Sequence, residues 1–296
     1  MDSEIVKDYV QAGKVWRGAI NFAQKKCKEG KSLLELANEV EEFVKENEAE
    51  DAFPINLSVN EEAAHFTPKY NDTYLLKESD VLKIDIGVHV NGYICDGAIT
   101  VNLDNKFAKQ IEANELALNN AISVSEYNKP IEKIGATIEN TLKEKGYNPV
   151  YNLGGHGLAQ YNIHSTPSVP NHSGGSGELL GEQAIAIEPF ASNGKGKVSE
   201  AQTVEIFSLK KTFGVRNAYA REILKLCEKY KGLPFAERWL RKESKLNELN
   251  FTFGLRELMK AGCLEMHSGL KETKATITQI EKSILILENK TIVLGE

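Results

Sequence analysis

The sequence of 296 residues predicts an α+β fold, in which helices and antiparallel strands are mixed along one chain. Apolar residues recur at helical spacing in 4–26 and again in 107–145. Asn-Gly at 91–92 marks the tip of a β-hairpin over 83–98, since both residues tolerate the positive φ of a type I′ turn. A Lys- and Arg-rich stretch at 208–268 has helical periodicity and lies between strand patterns. The fold class therefore includes a helical insertion.

Four helices are predicted before the insertion. The first covers residues 4–26, and the second opens at Ser32, which forms a capping box with Glu35. Two more are expected near 107–126 and 130–145, where the apolar periodicity continues. Strands are expected between and after these helices, including a final pair near the carboxyl terminus.

Two of the helical segments have similar sequences, which suggests a duplicated half-domain. "LANEVEEFVKE" begins at residue 36 and "IGATIENTLKE" at residue 134. Each leads through a Pro-containing turn to a His-bearing segment and later to an acidic strand. Because any two amphipathic helices share such a pattern, the residues alone leave open whether the halves are related.

Composition excludes several classes of protein. The hydrophobic content of 41% supports a substantial core, and the formal net charge of −6 argues against a general nucleic-acid or membrane binder. The four cysteines form no CxxC pair and are interpreted as reduced thiols of a cytoplasmic protein. We expect no signal peptide and no transmembrane helix, because neither apolar pattern is present.

The hairpin follows a predicted loop that contains Pro54 and Pro68, and it carries two aspartates among apolar residues. The Asn-Gly tip pairs Asp85 with Ala98 and Asp96 with Gly87, so both carboxylates share one side of the sheet. Each faces a residue with almost no side chain, which leaves a small hollow between the strands. Since an unpaired buried carboxylate is costly, a positive group is expected there.

Further acids and histidines lie on apolar or Gly-rich segments. Glu188 ends the strand "AIAIE" and Glu281 lies in "TQIEKSILIL". His156 and His164 are eight positions apart in "GGHGLAQYNIH", so an extended segment would point both imidazoles the same way. The alternative, that these are solvated face residues and loop histidines, stays open for each position taken singly.

This set of side chains suits divalent cations. Carboxylates outnumber imidazoles and no thiolate is present, which favours Mn, Fe or Co over a structural zinc ion. Four carboxylates and a histidine exceed the needs of one ion. Two ions roughly 3.5–4 Å apart would use them all, with a bridging water as the nucleophile.

The three remaining histidines are interpreted structurally. His89 lies near the hairpin tip and is expected to be solvated, while His172 and His267 are expected in loops. His267 is close enough to the end of the helical block that a place in the substrate pocket stays open.

Five motifs in order give the chain a resemblance to a known family. They are "FPINLSVNEEAAHFTP", "DVLKIDIGVHVNGYICDGAIT", "NLGGHGLAQYNIHSTPSVP", "AIEPF" and "QIEKSILI". The chain resembles the methionine aminopeptidases of type II, the archaeal and eukaryotic branch, which are metallopeptidases of pita-bread fold with pseudo-twofold halves. The resemblance covers almost the whole chain. It implies a pita-bread catalytic domain over 1–207 and 269–296, and a winged-helix-like insertion over 208–268.

The resemblance also implies the roles of individual residues. The implied metal ligands are Asp85, Asp96, His156, Glu188 and Glu281, with Asp96 and Glu281 bridging two divalent ions. His65 would lie beside the substrate amide, His164 would contact the substrate carbonyl, and Glu188 would also shuttle a proton. Phe53 would form a wall of the methionine pocket. Lys282 departs from the family, which often has histidine there, and we expect it to face away from the metals.

The implied function is removal of the N-terminal methionine from new proteins when the second residue is small. The ions are Co, Mn, Fe, Ni or Zn, and the partners are nascent polypeptides. The insertion surface is interpreted as solvated, with a transient ribosome contact left open, and a monomer is expected. Two alternatives stay open: a proline-specific dipeptidase or aminopeptidase of the same fold, and a non-catalytic binding module that has lost its ligands.

Overall fold

The computed structural model describes residues 1–212 and 214–296. Its helices are α1 (Ser3–Lys26), α2 (Leu33–Glu46), α3 (Ala108–Ser123), α4 (Glu132–Glu144), α5 (Ala218–Glu228), α6 (Glu237–Glu243) and α7 (Glu248–Lys260). The strands in the first part of the chain are β1 (Glu50–Asp51), β2 (Asn56–Val59), β3 (Glu62–Ala64), β4 (Val81–Val90), β5 (Tyr93–Asn102), β6 (Asn148–Pro149), β7 (Gly154–Ala159) and β8 (Asn162–Pro170). The later strands are β9 (Gln183–Ile187), β10 (Phe190–Ser192), β11 (Ser199–Leu209), β12 (Phe235–Ala236), β13 (Leu264–Lys271), β14 (Ile277–Gln279), β15 (Glu281–Leu287) and β16 (Lys290–Val293).

A nine-stranded sheet organises the molecule. Its strands follow the order β1-β4-β5-β15-β9-β7-β8, with β2 also paired to β4 and β16 to β15. The pairs within this sheet are antiparallel. Strands distant in sequence thus become neighbours at its centre, where β15 lies between β5 and β9.

Two helix pairs cover the sheet, one for each half. Apolar residues of α1 and α2 pack with the β4–β5 hairpin in one core. Apolar residues of α3 and α4 pack with β8, β9 and β15 in a second core. This arrangement agrees with the predicted pseudo-twofold halves, each built from a helix pair and neighbouring strands.

Local sequence signals account for the elements that were predicted. The Ser32 hydroxyl accepts a hydrogen bond from the backbone N–H of Glu35 at 3.3 Å, as expected of an N-cap.

The first helix packs closely on the β4–β5 hairpin. The indole of Trp16 donates to the carbonyl of Gly97 at 3.1 Å, and a Cβ at Gly97 would lie 2.4 Å from that ring. Gly97 therefore lets α1 lie directly against the hairpin.

The helices α5, α6 and α7 form a core of their own. Phe235, Leu240, Phe251 and Leu258 are buried there together with residues of β11 and β13. These two strands pair with each other and, with β12 and β3, form a separate four-stranded sheet. The helical block thus lies between two paired strands, while its boundaries at 208 and 268 stay a prediction.

Three local expectations were incomplete or wrong. The segment around Pro54 and Pro68 is not only a loop, because β1, β2 and β3 lie within it or beside it. His89 is buried and not solvated: its Nδ1 accepts from the backbone N–H of Gly92 at 3.3 Å, and its ring packs edge-on against Tyr161. His267 lies in β13, not in a loop.

Candidate active site

Five neighbouring strands each bring one predicted metal ligand to the same region. Asp85 lies on β4, Asp96 on β5, Glu281 on β15 and His156 on β7, while Glu188 directly follows β9. In the sheet these strands stand side by side in the order β4-β5-β15-β9-β7. All five residues line one cavity.

The strand register explains why the side chains converge. Ala98 pairs with Asp85 on one side and with Glu281 on the other, so these residues share a face of the sheet. Lys282 pairs with Ile187, and continuing this register by one residue brings Glu188 beside Glu281. The predicted pairing of Asp96 with Gly87 is also present.

Several carboxylate oxygens in the cavity have no partner within the described residues. Asp85 Oδ1, Asp96 Oδ1 and Glu281 Oε1 are buried without a hydrogen bond. Ligand atoms of Asp96, His156 and Glu281 lie within 4.8 Å of one another. Such oxygens are costly to bury unless a cation is nearby, so this donor set fits a divalent metal ion.

Burial and mutual repulsion raise the pKa values of these carboxyl groups. Burial raises the pKa of Asp85 to about 7. The pKa values of Asp96, Glu188 and Glu281 are raised well above their ordinary values, first by burial and then by the neighbouring carboxylates. A bound cation would remove this repulsion and hold the groups ionised.

His156 presents one ring nitrogen to the carboxylates. Its Nδ1–H donates to the carbonyl of Gly157 at 3.3 Å, which leaves the lone pair on Nε2. Nε2 lies 3.6 Å from Asp96 Oδ2. Burial, followed by the nearby His164, lowers the pKa of His156 to about 3. The neutral ring is the form that binds a metal ion.

The structure brings His156 and His164 together by a route that the sequence argument did not foresee. They lie on two strands of a hairpin, β7 and β8, and not on one extended segment. Their ring centroids are 4.6 Å apart with an edge-on arrangement. Register shifts around Gly157 make this possible, so the expected proximity holds although its proposed cause was wrong.

His65 and His267 also line the cavity. The Nδ1–H of His65 donates to the carbonyl of Ser268 at 3.3 Å, and His65 has a positive φ of 63°. Its ring lies 5.9 Å from that of His267, whose Nε2 shares a 2.7 Å hydrogen bond with the hydroxyl of Ser208. Burial, followed by His164, lowers the pKa of His65 to about 4, so the neutral ring keeps an acceptor on Nε2.

An apolar part of the cavity lies beside the carboxylates. Phe53 is 8% exposed, and its ring covers Gly87 so closely that a Cβ there would lie 2.1 Å from it. The hollow predicted opposite Asp96 is therefore filled by this ring. The other apolar lining residues are Ala64, Leu153, Ile163, Phe190, Ile206 and Pro234.

Sequence reasoning missed residues that hold the carboxylates in place. The Gln279 amide donates to Glu281 Oε2 at 3.1 Å, and the two-residue spacing in "QIE" could have indicated a shared face. The Ser283 hydroxyl accepts from the N–H of Asp96 and donates to its carbonyl, both at 2.8 Å. His267 lines the cavity, a place that its position in the sequence left open, but its contact with Ser208 had no local signal because it depends on pairing between β11 and β13.

Lys282 and His172 lie outside the cavity. Lys282 forms an ion pair with Glu296 and does not line the cavity, as expected for the residue after Glu281. His172 lies after β8 and contacts Tyr151 at 5.7 Å between ring centroids. His164 differs from these two residues because it lines the cavity at its mouth, where partial burial of the ring, followed by His267, lowers its pKa.

Comparison with known families places this geometry in context. The model of metallopeptidase family M24 matches residues 7–217. The chain belongs to metallopeptidase family M24. The methionine aminopeptidase of Archaeoglobus fulgidus is 40% identical over 291 residues, covering 98% of this chain and 97% of its own. That of Pyrococcus horikoshii is 40% identical over 295 residues, covering 98% and 99%.

Solved structures show the same fold at lower identity. A methionine aminopeptidase from Thermotoga maritima has a TM-score of 0.72 at 21% identity, covering all of this chain and 98% of its own. A thermophilic Arx1 has a TM-score of 0.87 at 15% identity, covering 100% and 91%. The prolidase of Pyrococcus furiosus has a TM-score of 0.64 at 19% identity, covering 100% and 64%. The predicted pita-bread fold is confirmed, as is the relationship of this M24 chain to methionine aminopeptidases.

Among the residues described, no helix is both long and apolar enough to cross a membrane.

Proposed function

We propose that this M24 metallopeptidase removes the N-terminal methionine from proteins whose second residue is small. The observation that carries the proposal is a cavity with an apolar wall on one side and unpartnered buried carboxylates on the other. A peptide amino terminus is cationic and complements these carboxylates, while the adjacent wall accepts an apolar side chain. The full-length relatives named methionine aminopeptidase support the choice of methionine.

We infer that two divalent ions bind when the protein is active. Asp85, Asp96, His156, Glu188 and Glu281 would hold them, because their donor atoms exceed the needs of one ion. When bound, such ions polarise the substrate carbonyl and lower the pKa of the attacking water. Cobalt, manganese, iron, nickel and zinc are all compatible with this donor set.

The histidines of the cavity would orient the peptide bond. The Nε2 of neutral His65 accepts a hydrogen bond from a substrate N–H, since its Nδ1–H is already donated to Ser268. His164, at the cavity mouth, donates to the carbonyl oxygen as negative charge builds on it. Each interaction strengthens in the transition state, which is where it accelerates the reaction.

Glu188 would move the proton. Without metal, burial followed by Asp85 and Asp96 raises the pKa of this carboxyl group well above its ordinary value. Bound cations would hold it ionised, so that it can accept a proton. It takes a proton from the attacking water and delivers it to the leaving amine. General acid–base help of this kind is worth about 10²–10⁴ in rate.

The apolar wall would select methionine. Phe53, Ile163 and Ile206 line a narrow region that an unbranched side chain can enter. Methionine is flexible and polarizable, so it fills such a space well. We propose that the protein works as a monomer in the cytoplasm on nascent chains, with a transient ribosome contact through 208–268 as one further expectation.

The test combines metal content with substrate choice. Metal-stripped protein should be inactive, and adding back a divalent ion should restore methionine release from Met-Ala-Ser but not from a Met-Leu peptide. The Asp96→Asn variant is the control for metal dependence. Cleavage of Xaa-Pro peptides with no release from Met-Ala-Ser would favour the prolidase alternative. No cleavage of either peptide at full metal occupancy would favour the binding module.

A further inference from the structure

A surface groove along β7 and β8 adjoins the cavity. Groove and cavity share His65, Leu153, His156, His164 and Glu188 as lining residues. Three other surface grooves share no lining residue with the cavity. If the substrate amino terminus lies at the closed end, the rest of the peptide leaves along the shared groove.

We propose that Tyr151 and His172, at the outer end of this groove, bind the side chain of the third to fifth substrate residue. The proposal rests on the proposed aminopeptidase function and adds a specificity site to it. The protein would then favour longer peptides with an aromatic residue at one of these positions.

The floor of the groove suits an extended peptide backbone. Gly154 and Gly155 contribute no side chains to it, and β8 adds Ser165, Thr166 and Ser168. Thr166 and Ser168 are exposed on the same side of β8 as His164. In the described part of the chain, none of these three hydroxyls makes a hydrogen bond to protein, so each is available to peptide N–H or C=O groups.

The outer end presents two aromatic rings in fixed positions. Tyr151 is 37% exposed, although the preceding Val150 is fully buried and its own N–H donates to the carbonyl of Gly196 at 2.9 Å. Its ring is tilted by 57° to that of His172, at 5.7 Å between centroids. Lys143 Nζ lies 5.7 Å from the centroid of the Tyr151 ring and helps to hold it in place. A substrate aromatic ring can pack against the exposed part of the Tyr151–His172 pair.

The short chain between Tyr151 and His156 limits how far the ring pair can lie from the cavity. Tyr151 lies five positions before His156 in the chain, and an extended chain advances at most about 3.3–3.6 Å per residue. The Cα atoms of Tyr151 and His156 are therefore at most about 18 Å apart. A peptide whose second residue lies beside His164 can place its third, fourth or fifth residue at the ring pair.

The experiment compares short and long substrates in the metal-loaded protein. Phe is placed at position three, four or five of the pentapeptide Met-Ala-Ser-Gly-Gly, and kcat/KM is compared with the parent peptide and with Met-Ala-Ser. For the native protein, one Phe position should raise kcat/KM by about three- to tenfold. Tyr151→Ala should abolish this increase and leave kcat/KM for Met-Ala-Ser unchanged, while Tyr151→Phe should keep it.

Two controls separate this proposal from simpler explanations. Tyr70→Ala removes a tyrosine that is 55% exposed and lies outside the groove. It should leave the ratio of kcat/KM between each Phe-containing peptide and the parent peptide unchanged. Thermal unfolding of each variant checks the fold. No Phe preference at any position, or an equal loss for Tyr151→Ala on short and long peptides, overturns the proposal.

Failure of the proposed function would look different. In that case the native protein releases no methionine from any peptide. Binding of a fluorescein-labelled pentapeptide that carries Phe then tests the groove directly. A Kd raised at least threefold by Tyr151→Ala supports the site, and an unchanged Kd overturns it.

Discussion

Gly87 and Phe53 offer a sharp test of how the pocket wall is built. A Cβ at Gly87 would lie 2.1 Å from Cε1 of Phe53 and 2.4 Å from Cδ1, against about 3.4–4 Å for ordinary contact. In Gly87→Ala the ring must therefore move by more than 1 Å, and the cavity is the open side available to it. Overpacking of this kind typically costs about 1–3 kcal/mol of unfolding free energy.

The companion variant removes the ring that Gly87→Ala would strike. Phe53→Ala alone should lower the free energy of unfolding by about 3 kcal/mol. This is the low end for a buried Phe, because one side of the ring faces the cavity. With the ring absent, the new methyl group of Gly87→Ala occupies vacated space. The double variant should thus be about 1–3 kcal/mol more stable than the sum of the single effects.

The assay is urea unfolding of the metal-stripped protein at fixed pH, together with KM for Met-Ala-Ser. Gly87→Ala should raise KM several-fold, because the displaced ring narrows the pocket. Gly181→Ala is the matched control: a Cβ there meets nothing within 4 Å, so stability should change by less than about 0.5 kcal/mol. Additive effects of the Gly87 and Phe53 changes would refute the reasoning.

Three further predictions concern the charges of the site and its surroundings. Asp96→Asn should lose bound metal and activity together, whereas His164→Ala should keep its metal and lose about 10²-fold in kcat/KM. Elemental analysis and kinetics on both variants distinguish these outcomes. Loss of metal from His164→Ala would mean that His164 is a metal ligand. The pKa of Asp85 is raised from 3.8 to about 7 in the folded metal-stripped protein, which therefore binds a proton at Asp85 more tightly than the unfolded chain does. Protonated Asp85 thus adds to the free energy of unfolding below pH 4, and this contribution is lost as pH rises through 7. Asp85→Asn should accordingly flatten the fall in urea midpoint between pH 5 and 7, and equal slopes would contradict the assignment. Lys282→Ala breaks a partly exposed ion pair with Glu296 and should change neither metal content nor kcat beyond twofold, so a larger loss would mean that Lys282 supports the site.

The sequence alone determined the elements whose signals lie within a few residues. Asn-Gly at 91–92 fixes the hairpin tip, and side-chain alternation then places Asp85 and Asp96 on one face, as the register confirms. Ser32 likewise fixes the start of α2, because an N-cap hydroxyl needs only the backbone N–H three residues ahead. Such contacts form within one turn, so local sequence suffices to specify them.

Membership of the family was also readable, because five motifs occur in order with suitable spacing. The family model and the full-length relatives bear this out. The motifs proposed which residues are ligands, but no residue by itself indicated which strands would be neighbours.

Only the tertiary structure decided how distant segments meet. Glu281 reaches Asp85 because β15 pairs with β5 at Ala98, and that strand order depends on two helix pairs packing over the sheet. His89 is buried because Tyr161, on another hairpin, covers it, so its own neighbours gave no sign of burial. Phe53 likewise fills the space over Gly87 through a contact between segments that are distant in the sequence. Burial and long-range pairing are properties of the partners that a residue acquires on folding, and a single stretch of sequence does not contain them.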